Sequence, residues 1–335
     1  MISILEVCAF PPIRQKKANG WGAELIQIHT VRDLQLFGKR SKNSESAEKK
    51  VRTCMNQIDG RIHRYNAEAT VIEGHLELPL EQEIGRQAHA SLPAQGGYIS
   101  RRAHQYRLGE VISIRSGYTQ VAGNRSDKPG EGWSTLATVV VEGLNVLEVL
   151  TADRVVAQII TDHPPAGYVP SISFLGTRFE NLRIAGHLVN LQLDLGILGS
   201  KPASDEPYGL DPDLKRRISS QYNRICESQS LPADKRERYN RLSSSLGSPE
   251  EVECSLVNHA LGDYPGPSFG HLIHIPNFGW ISLAKVRVTY QEVKEQGELL
   301  RKTTVQLSMI DLHLGCATAG SGLAGVLSTN GSTTP

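Results

Sequence analysis

The sequence predicts a mainly β protein, an antiparallel sandwich or flattened barrel built from two related β blocks with an inserted helical hairpin. Short runs in which apolar and polar residues alternate recur along the chain, separated by turn residues. Segments 132–142 and 279–289 share the pattern Gly-Trp-x-x-Leu-Ala-x-Val-x-Val and agree at six of eleven positions, which indicates two blocks with related strands. Segment 211–246 instead has apolar residues at helical spacing.

The composition is that of a globular chain with no specialised charge or aromatic content. Hydrophobic residues make up 39% of the 335 residues, charged residues 21% and aromatic residues 6%, and the formal net charge is +1. This is enough apolar material for a core, whereas the net charge disfavours a globally basic nucleic-acid binder. The low aromatic content disfavours a stacking platform for bases or sugars.

No apolar run in the chain approaches eighteen residues, so we expect no transmembrane helix. The N-terminal stretch from Met1 to Phe10 is short and apolar, but it lacks a basic segment and contains Glu6. It is therefore a poor signal peptide. We expect a cytoplasmic protein by default, although a protein exported without a leader would look the same.

Residues 1–130 are predicted to form an N-terminal β region. The stretch Ile2–Phe10 alternates in the manner of a first strand, which Pro11-Pro12 ends. Residues 38–50 are almost entirely polar and predict a mobile loop. Residues 72–78 alternate clearly and predict a half-buried strand.

Residues 131–316 are predicted to form the β body. Four strand-like runs between residues 134 and 195 have turns but no helix between them, which indicates antiparallel pairing. Asp211-Pro212 combines a helix N-cap with a proline at the first helical position, and it opens the helical insertion 211–246. We expect the insertion to pack its apolar side chains on the sheet, namely Leu214, Ile218, Tyr222 and Ile225. Its basic side chains Arg216, Arg217 and Arg224 are expected to be largely exposed.

The chain returns to strands after residue 252 and ends in an uncharged tail. Segments 281–290 and 303–314 are predicted to form a hairpin. Residues 317–335 are mainly glycine, serine, threonine and alanine, and we expect a flexible tail that is either disordered or laid along a partner. The first strand and this tail are the two segments expected to add to the sheet of a neighbouring subunit.

A strip rich in arginine and tyrosine is predicted between residues 86 and 125. This segment contains six arginines against one glutamate, with three tyrosines between them. Arginine and tyrosine are enriched at protein–protein contacts, so we favour an interface over plain surface and over a site for a polyanion. The interface candidates are Arg101, Arg102, Tyr106, Arg107, Arg115 and Tyr118.

Two residue pairs are the best candidates for a metal site. His271 and His274 form one pair and His313 and Cys316 the other, and together they could supply the four nitrogen and sulfur ligands of tetrahedral zinc. Both pairs fall in strand-like segments, where residues three apart face opposite sides of the sheet. We therefore favour histidines at strand ends or in hydrogen bonds, and we predict no cofactor.

Sequence signatures of catalysis are missing from the chain. It has no G-x-S-x-G motif, no phosphate-binding G-x-x-x-x-G-K-[ST] motif and no G-x-G-x-x-G motif that links a strand to a helix. Its five cysteines form no CxxC pair, and their odd number does not describe a disulfide scaffold. Whether Cys254 pairs with Cys316 is left open.

Two parts of the β body resemble a group of uncharacterised β-rich bacterial proteins. The first part runs from Glu142-Gly143-Leu144-Asn145 through Thr151-Ala152-Asp153-Arg154 to Phe174-Leu175-Gly176-Thr177 and Gly186, and the second from Phe269-Gly270-His271 to Phe278-Gly279. The resemblance covers mainly residues 134–316. It implies one architectural unit with a helical insertion, and it implies no activity, ligand or site.

The function expected from these features is that of a non-enzymatic structural or binding protein that self-associates through β-edges into a homo-oligomer. The missing catalytic signatures, the many strands with edges to cover and the arginine and tyrosine strip all favour it. The alternatives are a metal-dependent hydrolase that uses the histidine and cysteine cluster, and a carbohydrate-binding module. Zinc bound in stoichiometric amount would favour the hydrolase.

Overall fold

The computed structural model describes residues 57–58, 61–79, 81–126, 131–202, 205–295, 298–315 and 318–333. These residues belong to one compact unit. The predicted first strand Ile2–Phe10, the polar loop 38–50 and Cys316 lie outside the described residues.

The described residues form β-strands, two α-helices and a short 3-10 helix. The strands are β1 (Gln57–Ile58), β2 (Arg61–Arg64), β3 (Ala67–Leu78), β4 (Gln82–Gln87), β5 (Ala90–Ser91), β6 (Gly97–Leu108), β7 (Ile112–Arg125), β8 (Trp133–Val146), β9 (Leu150–His163), β10 (Ser171–Ser173), β11 (Arg178–Glu180), β12 (Arg183–Ile184), β13 (His187–Leu188), β14 (Asn190–Leu193), β15 (Glu251–Ser255), β16 (Val257–Leu261), β17 (Ser268–Phe269), β18 (Leu272–Ile275), β19 (Gly279–Glu295), β20 (Glu298–Gly315) and β21 (Ala319–Thr333). The helices are α1 (Pro212–Cys226) and α2 (Ala233–Ser244), and the 3-10 helix spans Tyr208–Leu210. The prediction of a mainly β chain with a helical hairpin is confirmed. No helix in the described part is long and apolar enough to span a membrane.

An eleven-stranded antiparallel sheet forms one layer of the protein. Its centre is the run β19–β20–β21, in which the long β19–β20 hairpin corresponds to the predicted one. On the far side of β21 lie β2 and β3, and β3 in turn pairs with β4 and β5. On the far side of β19 lie β15 and β18, followed by β17.

An eight-stranded antiparallel sheet forms the second layer. Strands β6, β7, β8 and β9 follow one another as a meander. The short strands β10, β11 and β12 pair with successive parts of β9, and β13 pairs with β12. A separate two-stranded sheet joins β14 to β16.

The two layers pack face to face around an apolar core. An added Cβ at Gly117 on β7 would lie 2.6 Å from Val71 on β3, and one at Gly325 on β21 would lie 3.8 Å from Val155 on β9. Such close contact is typical of two sheets whose inner faces interdigitate. In the described part both sheets have open ends, so the chain forms a sandwich rather than a flattened barrel.

The helical insertion folds against strand β15 and the residues that follow it. Asp211 accepts a hydrogen bond from the Asp213 amide at 3.0 Å, which caps α1 as predicted. The four apolar side chains expected to pack on the sheet are all buried. Arg216 and Arg224 are exposed, but the expectation for Arg217 is wrong, because Arg217 is partly buried and its Nε donates to the Ile197 carbonyl at 2.8 Å.

The C-terminal segment differs most from its prediction. Residues 319–333, which were expected to form part of a flexible tail, are strand β21 in the middle of the larger sheet, between β20 and β3. The segment alternates, since Leu327 and Thr329 face the core and Ser328 and Asn330 do not. Because both of its edges are already paired within its own subunit, β21 offers no free edge to a neighbour.

The predicted boundary near residue 130 does not separate two layers. Strands β2 to β5 come from the N-terminal region, and they complete the sheet that β19, β20 and β21 build at the opposite end of the chain. Strands β6 and β7 also come from this region, and they complete the sheet of β8 and β9. The N-terminal region therefore contributes to both layers of the β body.

Candidate interface at the sheet edges

Strand β6 is a long open edge of the eight-stranded sheet. It has 12 residues, and within the described part it is hydrogen-bonded to β7 alone. The strands at the other sheet ends are shorter: β13, β17 and β5 have 2 residues each, and β4 has 6. Short edge strands resist pairing with other chains, so β6 is the edge most open to it.

The structure places the six predicted interface residues on β6 and β7. Arg102 lies opposite Tyr118, and both belong to the outer face of the sheet. Tyr106 lies opposite the buried Ile114 and packs against the core from the other face. The six residues therefore adjoin one another but divide between the two faces. Arg101, Arg102, Arg107 and Arg115 are exposed, whereas Tyr106 and Tyr118 are half-buried.

The positive charge of this edge is only partly compensated. Arg107 pairs with Glu110 in the turn that leads to β7, and Arg101 donates to the neighbouring Ser100 carbonyl at 3.2 Å. Arg102 and Arg115 have no ion pair among the described residues. The open edge thus carries exposed guanidinium groups that are available to an acidic partner.

The neighbouring edge of the other sheet is acidic. Strand β4 pairs with β3 alone among the described strands. Three exposed glutamates lie along this edge, Glu77 near the end of β3, Glu81 just before β4 and Glu83 on β4, whereas Arg86 on β4 pairs with Glu73 at 3.0 Å. Glu81 lies 3.9 Å from His75, while Glu77 and Glu83 have no ion pair in the described part. Sequence reasoning missed this edge, because an exposed glutamate shows its role only once the strand order is known.

The basic and acidic edges lie on the same side of the sandwich. The Thr119 hydroxyl on β7 donates to the Ala88 carbonyl, in the turn after β4, at 2.7 Å. Each edge also exposes one large apolar side chain, since Tyr98 on β6 is 59% exposed and Leu78 at the end of β3 is 50% exposed. This side of the molecule therefore presents two open edges, one from each layer: β6 with exposed arginines, and the edge formed by β4 and the end of β3 with exposed glutamates.

The predicted metal ligands do not converge. His271 is buried and its Nε2 lies 3.1 Å from the Tyr239 hydroxyl, while burial lowers the pKa of the His271 ring to about 4. His274 and His313 are the cross-strand neighbours of Trp280, one on each side, so the indole separates them. In the ranges that the structure describes, no group of three or more histidine, cysteine or acidic residues could hold a metal ion.

A buried polar cluster that the sequence did not reveal lies at one end of the core. The rings of His63 on β2 and His163 on β9 have centroids 4.6 Å apart, and Trp133 stacks on His63 at 5.0 Å. The His63 Nδ1 lies 3.0 Å from the Thr333 hydroxyl. Burial is the main cause that lowers the pKa of His63 to about 2 and that of His163 to about 3.

Among the residues that the structure describes, this cluster contains two histidines and no third ligand, so its geometry is not that of a metal site. Four threonine hydroxyls on the facing strands are also buried without a hydrogen-bond partner among the described residues, those of Thr135, Thr161, Thr303 and Thr329. Buried polar groups normally find partners in the protein or in ordered water. The cluster is therefore a polar end of the core whose stability depends on neutral histidines.

Comparison with known protein families identifies one family that matches this chain. The model of a domain of unknown function, DUF8256, matches residues 63–289. The chain belongs to this family. The DUF8256 match begins in β2 and ends within β19, so it includes both sheet edges described above and the helical hairpin. The family agrees with the resemblance to uncharacterised proteins seen in the sequence. No curated protein and no solved structure matches the chain.

Proposed function

We propose that the protein is a non-enzymatic structural protein that self-associates through the two open edges on one side of its sandwich. The observation that supports this proposal is the long open strand β6, with its exposed arginines, beside the acidic strand β4 on the same side of the molecule. The edge of one subunit that carries positive charge adds to the edge of another that carries negative charge.

A two-fold symmetry axis between two subunits, at the level midway between the layers, allows both open edges to pair at once. It brings β6 of one subunit against β4 of its partner and, by symmetry, β4 of the first against β6 of the second. Such an isologous contact is closed, so it forms a dimer and not a filament. Each half of the contact would gain main-chain hydrogen bonds of the kind that strand addition provides.

Charge favours this arrangement over the pairing of β6 with another β6. Pairing β6 with its own copy would place Arg101 and Arg102 near the same residues of the partner, and like charges opposite one another destabilise a sheet. Pairing with β4 places them near Glu81 and Glu83 instead. Arginines on the edge then select the partner strand as well as blocking indiscriminate aggregation.

A charge-reversal experiment tests the proposal. One variant carries Arg101→Glu and Arg102→Glu, and the other carries Glu81→Arg and Glu83→Arg. We expect the wild-type chain to be a dimer in light scattering at low salt, and each variant alone to be a monomer. An equimolar mixture of the two variants restores the dimer, because each altered edge then meets an edge of opposite charge.

The matched control carries Arg216→Glu and Arg241→Glu, which make the same change in net charge as the Arg101 and Arg102 variant but on the exposed side of the helical hairpin. This control is expected to remain dimeric. A monomeric wild-type chain, or a mixture of the two edge variants that stays monomeric while both variants remain folded by circular dichroism, would overturn the proposal.

A further inference from the structure

Lys285 on β19 lies between two carboxylates that are largely shielded from solvent. Its Nζ is 3.6 Å from Asp311 Oδ2 on β20 and 3.7 Å from Glu253 Oε2 on β15. The side chains of Lys285, Asp311 and Glu253 are 19%, 13% and 7% exposed, respectively. Charge-assisted hydrogen bonds between such groups are usually about 2.7–2.9 Å long, so Nζ contacts both carboxylates without a short hydrogen bond to either.

An irregularity in β19 places Lys285 on the outer face of the sheet. Leu283 and Val286 both face the core although they are three positions apart, so the alternation of the strand is reset at Ala284. Ala284 has a φ of 46°, which a residue with a side chain adopts only at a cost. Regular alternation would put Lys285 on the same face as Leu283, in the core. Irregularities of this kind often re-aim one side chain next to a functional site, and here the re-aimed side chain reaches Asp311.

The helical hairpin covers the three groups. Arg238 on α2 binds Glu253 at 2.6 Å, and the Tyr222 hydroxyl on α1 donates to the Glu253 carbonyl. Burial is the main cause that raises the pKa of the Tyr239 hydroxyl on α2, and the charges of Glu253 and Asp311 add to it. The hairpin thus keeps bulk water away from a site where an amine and two carboxyl groups are in contact.

We propose that Lys285 and Asp311 condense to form an intramolecular amide bond, which links β19 to β20 beneath the hairpin, and that Glu253 carries the protons. The two groups are unlinked in the structure and lie at the distance from which reaction can begin. Groups held in contact react as if each were present at a very high concentration. The exclusion of water favours condensation further, because water is both the product of the reaction and the reagent that reverses it.

The reaction needs no reagent beyond the three side chains. Glu253 accepts a proton from the Lys285 ammonium group, and the electron pair of the amine then attacks Asp311 Cγ. The Nζ–Cγ bond forms and one Cγ–Oδ bond breaks. Two of the three ammonium protons pass to the departing oxygen, with Glu253 as their carrier, and that oxygen leaves as water. An ammonium group and a carboxylate thereby become a neutral amide, and Glu253 ends in its starting state.

The other contacts of the two carboxylates assign their roles. Glu253 is bound by Arg238 at 2.6 Å and by Arg287 at 3.3 Å in addition to Lys285. These contacts fix Glu253 in place and would be lost if it were consumed. Asp311, within the part of the chain that the structure describes, has one further ionic contact, which is with the half-exposed His313 at 3.5 Å. Asp311 is therefore the carboxyl group that reacts.

The test is the intact mass of the full chain, measured by mass spectrometry after unfolding, so that the result does not depend on self-association. We expect the wild-type mass to be lower than the mass of its sequence by one water molecule. Tandem mass spectrometry of a tryptic digest should find a branched peptide that joins Lys285 to Asp311, with cleavage after Lys285 blocked. A wild-type chain with the full mass of its sequence, or a loss of water that maps to other residues, would overturn the proposal.

Variants separate the reacting groups from the proton carrier. Lys285→Arg keeps the positive charge but cannot form the amide, so this variant should have the full mass of its sequence while circular dichroism shows it folded. Glu253→Gln should form the bond more slowly, and a rate equal to that of the wild type would contradict the role of Glu253. The control is Lys201→Arg, since Lys201 lies 3.5 Å from the single carboxylate of Asp205. This control should lose one water molecule as the wild type does, and a Lys285→Arg chain that also loses it would overturn the proposal.

Discussion

Trp133 lies directly opposite His163 in the pairing of β8 with β9, and the same relationship recurs in the other layer, where Trp280 lies opposite His313 in the pairing of β19 with β20. Trp133 is the first residue of β8 and Trp280 the second of β19, and each of these strands pairs with the strand before it and the strand after it. The shared sequence pattern thus marks corresponding places in two antiparallel meanders.

The glycine that precedes each tryptophan explains part of the pattern. An added Cβ at Gly132 would lie 2.0 Å from the His163 carbonyl oxygen, and one at Gly279 would lie 2.1 Å from that of His313. A backbone oxygen cannot move aside as a flexible side chain can. Only glycine allows this approach of the two chains where the strand begins.

We therefore predict that Gly132→Ala and Gly279→Ala each lower the free energy of unfolding by about 2 kcal/mol or more, as overpacking against backbone does. Urea unfolding of the two variants measures the effect. Gly85→Ala on β4 is the matched control, since nothing lies within 4 Å of its added Cβ. Two alanine variants as stable as this control would show that the shared glycines have no steric role.

The buried histidine cluster predicts a dependence of stability on pH. The pKa of His63 falls to about 2 and that of His163 to about 3 in the folded chain, against 6.5 for an unburied ring. Below pH 6.5 both histidines become protonated in the unfolded chain but stay neutral in the folded chain. The contribution of the two neutral histidines to stability is therefore complete above pH 6.5, and it is lost as the pH falls toward their pKa values in the folded chain.

Between pH 6 and pH 4 each of these histidines should lower the free energy of unfolding by about 1.4 kcal/mol per pH unit at most. Urea unfolding across this range measures the slope. We expect His163→Gln to give a shallower slope than the wild type, by up to one proton. A variant whose stability falls as steeply as that of the wild type would rule out His163 as a source of the dependence.

Much of the fold followed from local patterns in the sequence. The strands alternate with period two, and Asp211-Pro212 marks the start of α1 because N-cap chemistry is local. The C-terminal strand was missed because small, uncharged residues also describe a flexible tail. Only the strands on both sides of β21 supply the apolar surface and hydrogen bonds that order it.

The candidate sites depended on register, which a single sequence does not specify. The arginines of β6 could be recognised as a charged strip, but the acidic edge beside them appears only with the strand order. His63 and Thr333 are 270 residues apart in sequence and are hydrogen-bonded in the fold. Such pairs carry no local signal, so the histidine cluster was not predicted.

The helical hairpin is fixed to the sheet by a buried amide, and this predicts a large effect from one substitution. The Gln221 side chain on α1 donates to the Ser255 carbonyl at 3.0 Å and accepts from the Ser255 amide at 2.9 Å. Gln221→Ala leaves both backbone groups buried without these partners, which should cost about 2–3 kcal/mol of unfolding free energy. Urea unfolding checks the value, with Asn223→Ala on the exposed face of the same helix as the control. Equal stability of the two variants would contradict this account of the docking.

A buried carboxylate beneath the hairpin lies among three cations, and this arrangement predicts how much the carboxylate contributes to stability. Glu253 on β15 is 7% exposed, and three cations surround its carboxylate: Arg238 at 2.6 Å, Arg287 at 3.3 Å and Lys285 at 3.7 Å. Glu253→Gln removes the negative charge and leaves the cations facing one another, so we expect a loss of about 3 kcal/mol in unfolding free energy.

The neighbouring Glu251 is a control of the same chemistry, since it lies 3.1 Å from Arg287 but its side chain is 49% exposed. Glu251→Gln should change stability by no more than about 1 kcal/mol, the range of exposed ion pairs. Urea unfolding of the two variants in low and high salt distinguishes the two positions. Salt should reduce the loss of unfolding free energy caused by Glu251→Gln, and it should leave most of the loss caused by Glu253→Gln. Similar losses at both positions would mean that the buried carboxylate is no more important to this layer than a surface one.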